Sequence, residues 1–203
     1  MLVTLFIIAI TCVVSFAGFS SPPLIERLIL WPPAITKGKE YWRLLSCGLI
    51  HANFQHLLFN MVTLFFFGGF MEKFYANYIS ALGYALFYAG GLVISCLPSY
   101  LTHRNDADYR SLGASGAVSA VLFAFVLLQP WTTIYVFVVP VPAIIYAVVY
   151  LAYTIYMDRQ NADRVNHSAH LWGAAYGVLF TLAIEPRVAS VFVDRLVHPG
   201  FSL

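Results

Sequence analysis

His167-Ser-Ala-His170-Leu-Trp-Gly173-Ala-Ala-Tyr-Gly177 opens an apolar segment near the end of the chain. On a helix, the positions three, four and seven after His170 are Gly173, Ala174 and Gly177, so all of them share its face. That face presents an imidazole beside a groove of small residues, which allows a second helix to approach closely. A buried histidine satisfied by a backbone carbonyl is the alternative interpretation.

A serine among small residues opens another apolar segment, in the stretch Ser111-Leu-Gly113-Ala-Ser115-Gly116-Ala. The glycines leave open space around the hydroxyl of Ser115, as a nucleophile needs. A seam of small residues for helix packing is the alternative. If this helix lies in the groove beside His170, the imidazole can reach Ser115, and a histidine with an ordinary pKa of about 6.5 can accept its proton.

Polar side chains also begin a third apolar segment, His51-Ala-Asn-Phe-Gln-His56-Leu-Leu-Phe-Asn60. His56 and Asn60 are four residues apart and share one helix face. Both can donate hydrogen bonds, and with the backbone N–H of Ser115 they could stabilise an oxyanion. A polar contact between helices is the alternative for this pair. His51 lies either at the mouth of the same cavity or at the membrane interface.

The composition indicates a membrane protein. Of 203 residues, 61 % are hydrophobic and 10 % charged, against about 25 % charged in a typical soluble domain. A chain this apolar must face lipid over much of its surface. The net charge is +2 and no basic run occurs, so we expect no nucleic-acid partner. The three cysteines are far apart in sequence and predict no disulfide framework.

Six segments have the length and apolar character of membrane-spanning helices. We expect them at residues 2–19, 54–71, 78–101, 112–128, 131–157 and 167–184. The fifth contains Pro140 and Pro142, and the short Gln129-Pro130 link should make the fourth and fifth helices antiparallel neighbours.

The chain is interpreted as a single membrane domain, 1–203. Its core would cover about 2–184, followed by a short tail, 185–203, in which we recognise no signal. The long segment 20–53 carries two Pro-Pro pairs and interfacial aromatic residues, so we expect it to lie on or partly in the membrane surface. With six spans, most Lys and Arg residues fall on the side of this segment, and the positive-inside rule would place it in the cytoplasm.

Taken in order, the motifs resemble those of the rhomboid intramembrane serine proteases over about residues 41–177. The matching pieces are Trp42-Arg43, His56-x-x-x-Asn60, Gly69-x-x-Glu72, Gly113-Ala-Ser115-Gly116 and Ala169-His170-x-x-Gly173-x-x-x-Gly177. The resemblance implies an all-α integral membrane protein, a compact bundle of six transmembrane helices with a long, partly embedded loop between the first two.

The same resemblance implies a role for each matching residue. Ser115 would be the nucleophile and His170 its base, a Ser–His dyad without an aspartate, and His56 and Asn60 would form the oxyanion hole. The remaining residues would shape the active-site loop, pack the helices or hold the structure: Gly113 and Gly116; Gly173 and Gly177; Trp42, Arg43 and Glu72. One departure is Ser119, where some members carry a tyrosine against which the histidine packs.

The family would act on single-span membrane proteins in the lipid bilayer, without a cofactor or a metal. It would place this chain in a prokaryotic inner membrane with the site open to the extracytoplasmic side, opposite to the charge count. The nearest alternative is an inactive rhomboid-like protein that binds membrane clients. Two others are a channel or transporter and a metal enzyme using the histidines His51, His56, His167 and His170.

Overall fold

Helices make up most of the chain in the computed structural model, which describes residues 1–136, 138–160 and 165–199. In chain order the described helices are α1 (Leu2–Phe19), α2 (Pro22–Leu28), α3 (Pro32–Gly38), α4 (Arg43–Ser46), α5 (Phe54–Thr63), α6 (Gly69–His103), α7 (Ser115–Leu128), α8 (Ala143–Gln160), α9 (His167–Ile184) and α10 (Arg187–Val197). A π-helical turn, Leu64–Gly68, joins α5 to α6. Both α1 and α9 have the predicted bounds, because each is a mostly apolar segment without a charged residue or a proline.

The second predicted helix is longer than expected. It continues through α5 and the π-helical turn into α6, and the break comes at Ser80, where φ is 67° and ψ is 174°. The polar residue Glu72 does not end it, because its carboxylate is buried and accepts the backbone N–H groups of Val3 (3.2 Å) and Thr4 (2.8 Å) at the start of α1. A carboxylate is favoured at a helix N-terminus, where N–H groups lack partners within the helix.

The predicted fifth helix, 131–157, is wrong before residue 143. Residues from 131 to 142 hold a β-hairpin of β1 (Thr133–Val136) and β2 (Val139–Pro142), and α8 begins only at Ala143. Proline lacks an N–H and disfavours helix at the residue before it, so Pro140 and Pro142 keep this apolar run out of a helix. In a two-stranded sheet every strand is an edge, where proline is tolerated.

The predicted short link between the fourth and fifth helices is therefore also wrong. The chain between Leu128 and Ala143 contains the hairpin, and α7 packs mainly against α9 and α6 instead of α8. The helix α7 is central: it is buried along its whole length after Ser115. The hairpin also means that the described chain is mostly, and not wholly, helical.

The segment 20–53 folds into three short helices and a 3₁₀ turn, Cys47–Leu49. Arg43 is buried and donates to Glu26 O (2.8 Å) and Ile29 O (2.9 Å), which ties α4 to the end of α2. Trp42 is about half exposed and lies beside α2. The depth of this segment in a membrane stays a prediction.

The tail, in which the sequence showed no signal, forms α10, bent 113° from α9. The indole Nε1 of Trp131 donates to Arg195 O (2.8 Å), and the Arg195 guanidinium donates to Leu128 O. These bonds place α10 against the far end of α7. The described part of the tail, residues 185–199, therefore packs against the helices before it.

Length and composition identify two described stretches that could cross a membrane, Leu2–Phe19 and Phe54–His103, or three if α9 and α10 form one bent span. The second stretch is broken at Ser80. The apolar α7 is shorter than a full span. The chain is thus a mostly helical membrane protein, and the count of six spans stays a prediction.

Candidate active site

Ser115 and His170 meet at one end of the bundle. Ser115 is the first residue of α7 and His170 lies in the first turn of α9. Ser115 Oγ and His170 Nε2 are 2.7 Å apart, which is hydrogen-bonding distance. The structure therefore brings a hydroxyl and an imidazole into the geometry in which the ring nitrogen can accept the hydroxyl proton.

Glycines bring the two helices together. A Cβ added at Gly173 would overlap the backbone carbonyl of Gly116, and one added at Gly177 would overlap the carbonyl of Ala120. The α7 and α9 backbones therefore touch, as the glycine face of α9 predicted. Gly116 also lies against the Ser95 side chain of α6, leaving no room for a Cβ.

The Ser115–His170 pair lies in a cavity of about 1060 Å³. Polar side chains of the five helices α5 to α9 line it, among them His56, Asn60 and Ser119. The described part of the lining contains no Asp or Glu. Polar lining of this kind can hold water, and His170 is the group placed to accept a proton from Ser115.

His56 and Asn60 reach the cavity from α5. The Asn60 amide donates to His56 O (2.9 Å) within its own helix, and the same amide carries a second N–H. The His56 imidazole lies against Gly113: a Cβ added there would be 2.5 Å from His56 Cε1. Asn53 begins the helix, because its side chain accepts the His56 N–H (2.8 Å), a preferred N-cap arrangement.

The loop before Ser115 is held by the segment that follows α1. Gly113 has a φ of 114°, a conformation that L side chains rarely adopt, and its N–H donates to Cys47 O (2.9 Å). Ser111 and Leu30 exchange two backbone hydrogen bonds (2.9 and 3.2 Å). These bonds set the approach of the chain to the N-terminus of α7.

Asn166 fixes the start of α9 beside that loop, a role that the sequence motifs did not predict. Its side chain accepts the Ala169 N–H (3.0 Å) and donates to Ser111 Oγ (3.2 Å) and Ser99 Oγ (2.9 Å). An asparagine directly before an apolar helix is a recognisable N-cap signal. The bonds to Ser111 and Ser99 join elements distant in sequence and have no such signal.

His51 is buried beneath the loop and is not among the residues that line the cavity. Its Nε2 accepts the N–H of Ala114 (3.3 Å), so Nδ1 carries the proton and donates to Ser15 Oγ (3.0 Å). Ser15 in turn donates to Leu49 O (2.9 Å). His51 thus holds the peptide next to Ser115 only while it is neutral.

This geometry predicts an acid-sensitive fold. Burial, and then the neighbouring His56 imidazole, lower the pKa of His51 from 6.5 to about 3. Between these values the unfolded chain binds a proton that the folded chain does not, so the free energy of unfolding falls as pH falls from about 6.5 towards 3, by at most about 1.4 kcal/mol per pH unit.

Unfolding measured in detergent between pH 4 and 7 checks this expectation. His51→Gln should flatten the pH dependence, whereas His198→Gln, whose ring is 76 % exposed, should leave it unchanged. An equally steep dependence in His51→Gln would show that other groups cause it.

The four histidines weighed as metal ligands form two pairs. The rings of His51 and His56 are 4.8 Å apart and those of His167 and His170 are 5.9 Å apart. Within residues 1–136, 138–160 and 165–199, the side chains form no group of three or more metal-binding residues. The described residues of the site therefore provide a serine and a histidine that could react, but no set of three side chains that could hold a metal ion.

The side chain that contacts His170 from α8 was also missed. The rings of Tyr150 and His170 are nearly parallel, at 24°, with centroids 6.1 Å apart. The Tyr150 hydroxyl is 3.1 Å from Ser119 Oγ. A tyrosine in an apolar helix carries no distinctive signal, although Tyr150 lies in the part of the fifth helix that was predicted correctly.

Fold and site together define a mostly helical membrane protein with a serine–histidine pair in a polar cavity. The chain belongs to the rhomboid family: the family described as Rhomboid domain matches residues 38–187. This match includes both helices that carry the pair. Members of the family are typically intramembrane serine proteases.

Relatives in bacteria and plants agree with that assignment. A protein named "Putative rhomboid protease YdcA" from Bacillus subtilis (strain 168) is 29 % identical over 185 residues, 88 % of this chain and 86 % of that protein. RHOMBOID-like protein 4 of Arabidopsis thaliana is 33 % identical over 207 residues, 93 % of this chain but 49 % of that protein. RHOMBOID-like protein 1 of the same plant is 32 % identical over 194 residues, 87 % of this chain and 47 % of that protein. The chain thus spans most of the bacterial relative and about half of these two plant relatives.

Proposed function

We propose that this chain is a serine endopeptidase that hydrolyses peptide bonds in or near transmembrane segments of other membrane proteins. The observation that carries the proposal is the 2.7 Å contact between Ser115 Oγ and His170 Nε2 inside a polar cavity. His170 takes the serine proton as Oγ attacks the scissile carbonyl, and later returns a proton to the leaving amine.

The tetrahedral intermediate needs donors for its oxyanion. We assign these to the Ser115 backbone N–H, the His56 ring and the second N–H of the Asn60 amide. The contact of His56 with Gly113 supports this assignment, since it brings the ring to the loop that enters α7. The free N–H groups at the start of α7 favour negative charge at the same place.

Single-span membrane proteins are the substrates that fit such a site. An intact helix hydrogen-bonds its own carbonyls, so a scissile bond becomes accessible only where the substrate helix is weak. The cavity extends along α5, α7 and α8 and can accept an extended segment. Neither a cofactor nor a metal is needed for this reaction.

An inactive rhomboid-like protein that binds membrane clients is the second candidate. Such a protein needs the cavity but not a hydroxyl in contact with an imidazole. The Ser115–His170 contact favours the protease, because a client-binding groove gives no reason to keep that pair at 2.7 Å.

A fluorophosphonate probe tests the proposal, since it forms a covalent adduct with an activated serine. The purified chain in detergent should be labelled, and mass spectrometry should place the adduct on Ser115. Labelling should vanish in Ser115→Ala and fall at least about 10³-fold in His170→Ala, while Ser190→Ala, at an exposed serine of α10, should label as wild type. Failure of the wild-type protein to react while it is folded would refute the proposal.

We also propose that the cavity opens to the extracytoplasmic side of a prokaryotic inner membrane, as the family resemblance implies. The positive-inside rule points the other way. An Asp106→Cys variant in the exposed loop before Ser115 should react with a membrane-impermeant maleimide added outside intact cells. Reaction only after the cells are opened would reverse the assignment.

A further inference from the structure

Tyr150 contacts the proposed base from the helix α8. Its ring is nearly parallel to the imidazole of His170, with an interplanar angle of 24° and a centroid distance of 6.1 Å. This separation lies within the range of interacting aromatic pairs. On another side the His170 ring meets His167 edge-on at 5.9 Å. The imidazole is thus bounded by two rings while its Nε2 points at Ser115.

The other end of Tyr150 is anchored on α7. Its hydroxyl is 3.1 Å from the Oγ of Ser119, which is 4 % exposed. Ser119 is four residues after Ser115, so it lies one turn further along the same face. Tyr150 therefore joins the helix that carries the proposed nucleophile to the side chain of the proposed base.

Neighbouring aromatic residues hold the Tyr150 ring in place. Tyr146 lies nearly parallel to it at 5.7 Å, and Phe123 of α7 is 5.9 Å away. The ring is therefore held by packing from two helices as well as by its hydroxyl. A side chain held at several points can in turn hold a neighbour in one rotamer.

We propose that Tyr150 is a positioning residue: its ring keeps the His170 imidazole in the rotamer that reaches Ser115, and Ser119 fixes the ring. The inference rests on the proposed function. It also accounts for a serine at position 119, where some family members carry the tyrosine themselves. Here the ring comes from α8. The residue at 119 must be small enough to leave space for this ring and polar enough to hydrogen-bond its hydroxyl.

Inactivation kinetics with the fluorophosphonate probe separate the positioning of His170 from the binding of the probe. The rate constant kinact reports the reaction at Ser115, and the half-saturation constant KI reports probe binding. Tyr150→Leu should lower kinact by about 10- to 100-fold, because small misplacements of a reacting group cost that much, with little change in KI. The matched control is Tyr156→Leu on the same helix, where the side chain is 59 % exposed, and it should react like wild type.

A relocated ring tests the same idea by rescue. Adding Ser119→Tyr to Tyr150→Leu places a tyrosine on α7, beside the space that the Tyr150 ring leaves when it is replaced by leucine. This double variant should recover much of the lost kinact, whereas a merely structural role of Tyr150 predicts no recovery.

If Tyr150→Leu does not fold, the hydrogen bond between the hydroxyls of Tyr150 and Ser119 can be tested alone. The variants are Tyr150→Phe, Ser119→Ala and their combination. Each single change should lower kinact by less than about tenfold, and the two should not add, because both remove one hydrogen bond. Additive effects, or a wild-type kinact in folded Tyr150→Leu, would overturn the inference. An unreactive wild-type protein would instead overturn the proposed function itself.

Discussion

Gly173→Ala should both destabilise the fold and strongly slow reaction at Ser115. The added methyl group would overlap the carbonyl of Gly116, a backbone atom that no change of rotamer can move. The α7 and α9 helices must then separate, which costs about 3 kcal/mol of unfolding free energy. Separation by even about 1 Å would also break the Ser115–His170 contact and lower the labelling rate by about 100-fold.

Ala175→Val is the matched control for this change, because Ala175 lies on the exposed face of the same helix. It should leave the unfolding midpoint and the labelling rate near wild type. Thermal unfolding in detergent and fluorophosphonate labelling check both effects. Wild-type behaviour of Gly173→Ala would show that the two helices do not touch at this position.

Gly113→Ala should abolish reaction with a smaller loss of stability. Two penalties meet here: φ is 114°, and the new Cβ would lie 2.5 Å from His56 Cε1. Relieving them requires the loop to turn or His56 to leave the proposed oxyanion hole. Losing one oxyanion donor typically costs about 10²- to 10³-fold in rate, and we expect a loss of that size in kcat.

Gly38→Ala is the control for a glycine outside the site, since an added Cβ there would meet only the Glu40 side chain at 3.4 Å. It should keep the wild-type rate. Unaltered turnover in Gly113→Ala would mean that neither the loop conformation nor the His56 contact is needed for the reaction.

The meeting of α7 and α9 could be predicted from sequence because it depends on residue types with one physical consequence. Gly173 and Gly177 on one face allow close approach whatever the partner, and His170 on that face then determines what the partner meets. The bounds of α1 and α9 could also be predicted, since each is a mostly apolar segment without a charged residue or a proline.

The hairpin and the position of the break at Ser80 could not be predicted from the sequence in the same way. The periodicity of an apolar run does not distinguish a buried helix from a strand, and the signals for the strand were the β-branched residues and the prolines at 140 and 142. A break between residues 71 and 78 was predicted from the polar residues there, but glutamate, lysine and tyrosine are all compatible with helix, and the break lies later, at Ser80.

The residues that support the site share one property: their partners are distant in sequence. His51 depends on Ser15 and Ala114, and Tyr150 depends on Ser119 and His170. No local pattern encodes such contacts. The sequence therefore predicts the reacting groups more readily than the side chains that orient them.

Proteolysis inside a membrane tests the central claim most directly. The chain would be reconstituted in liposomes with a panel of tagged single-span proteins whose transmembrane segments carry helix-weakening residues, and the fragments would be sized by mass spectrometry. The account predicts a discrete cut in or near the transmembrane segment with the wild-type chain, and none with Ser115→Ala or His170→Ala. Identical fragments from wild type and Ser115→Ala, or an uncut panel with a folded wild-type chain, would contradict it.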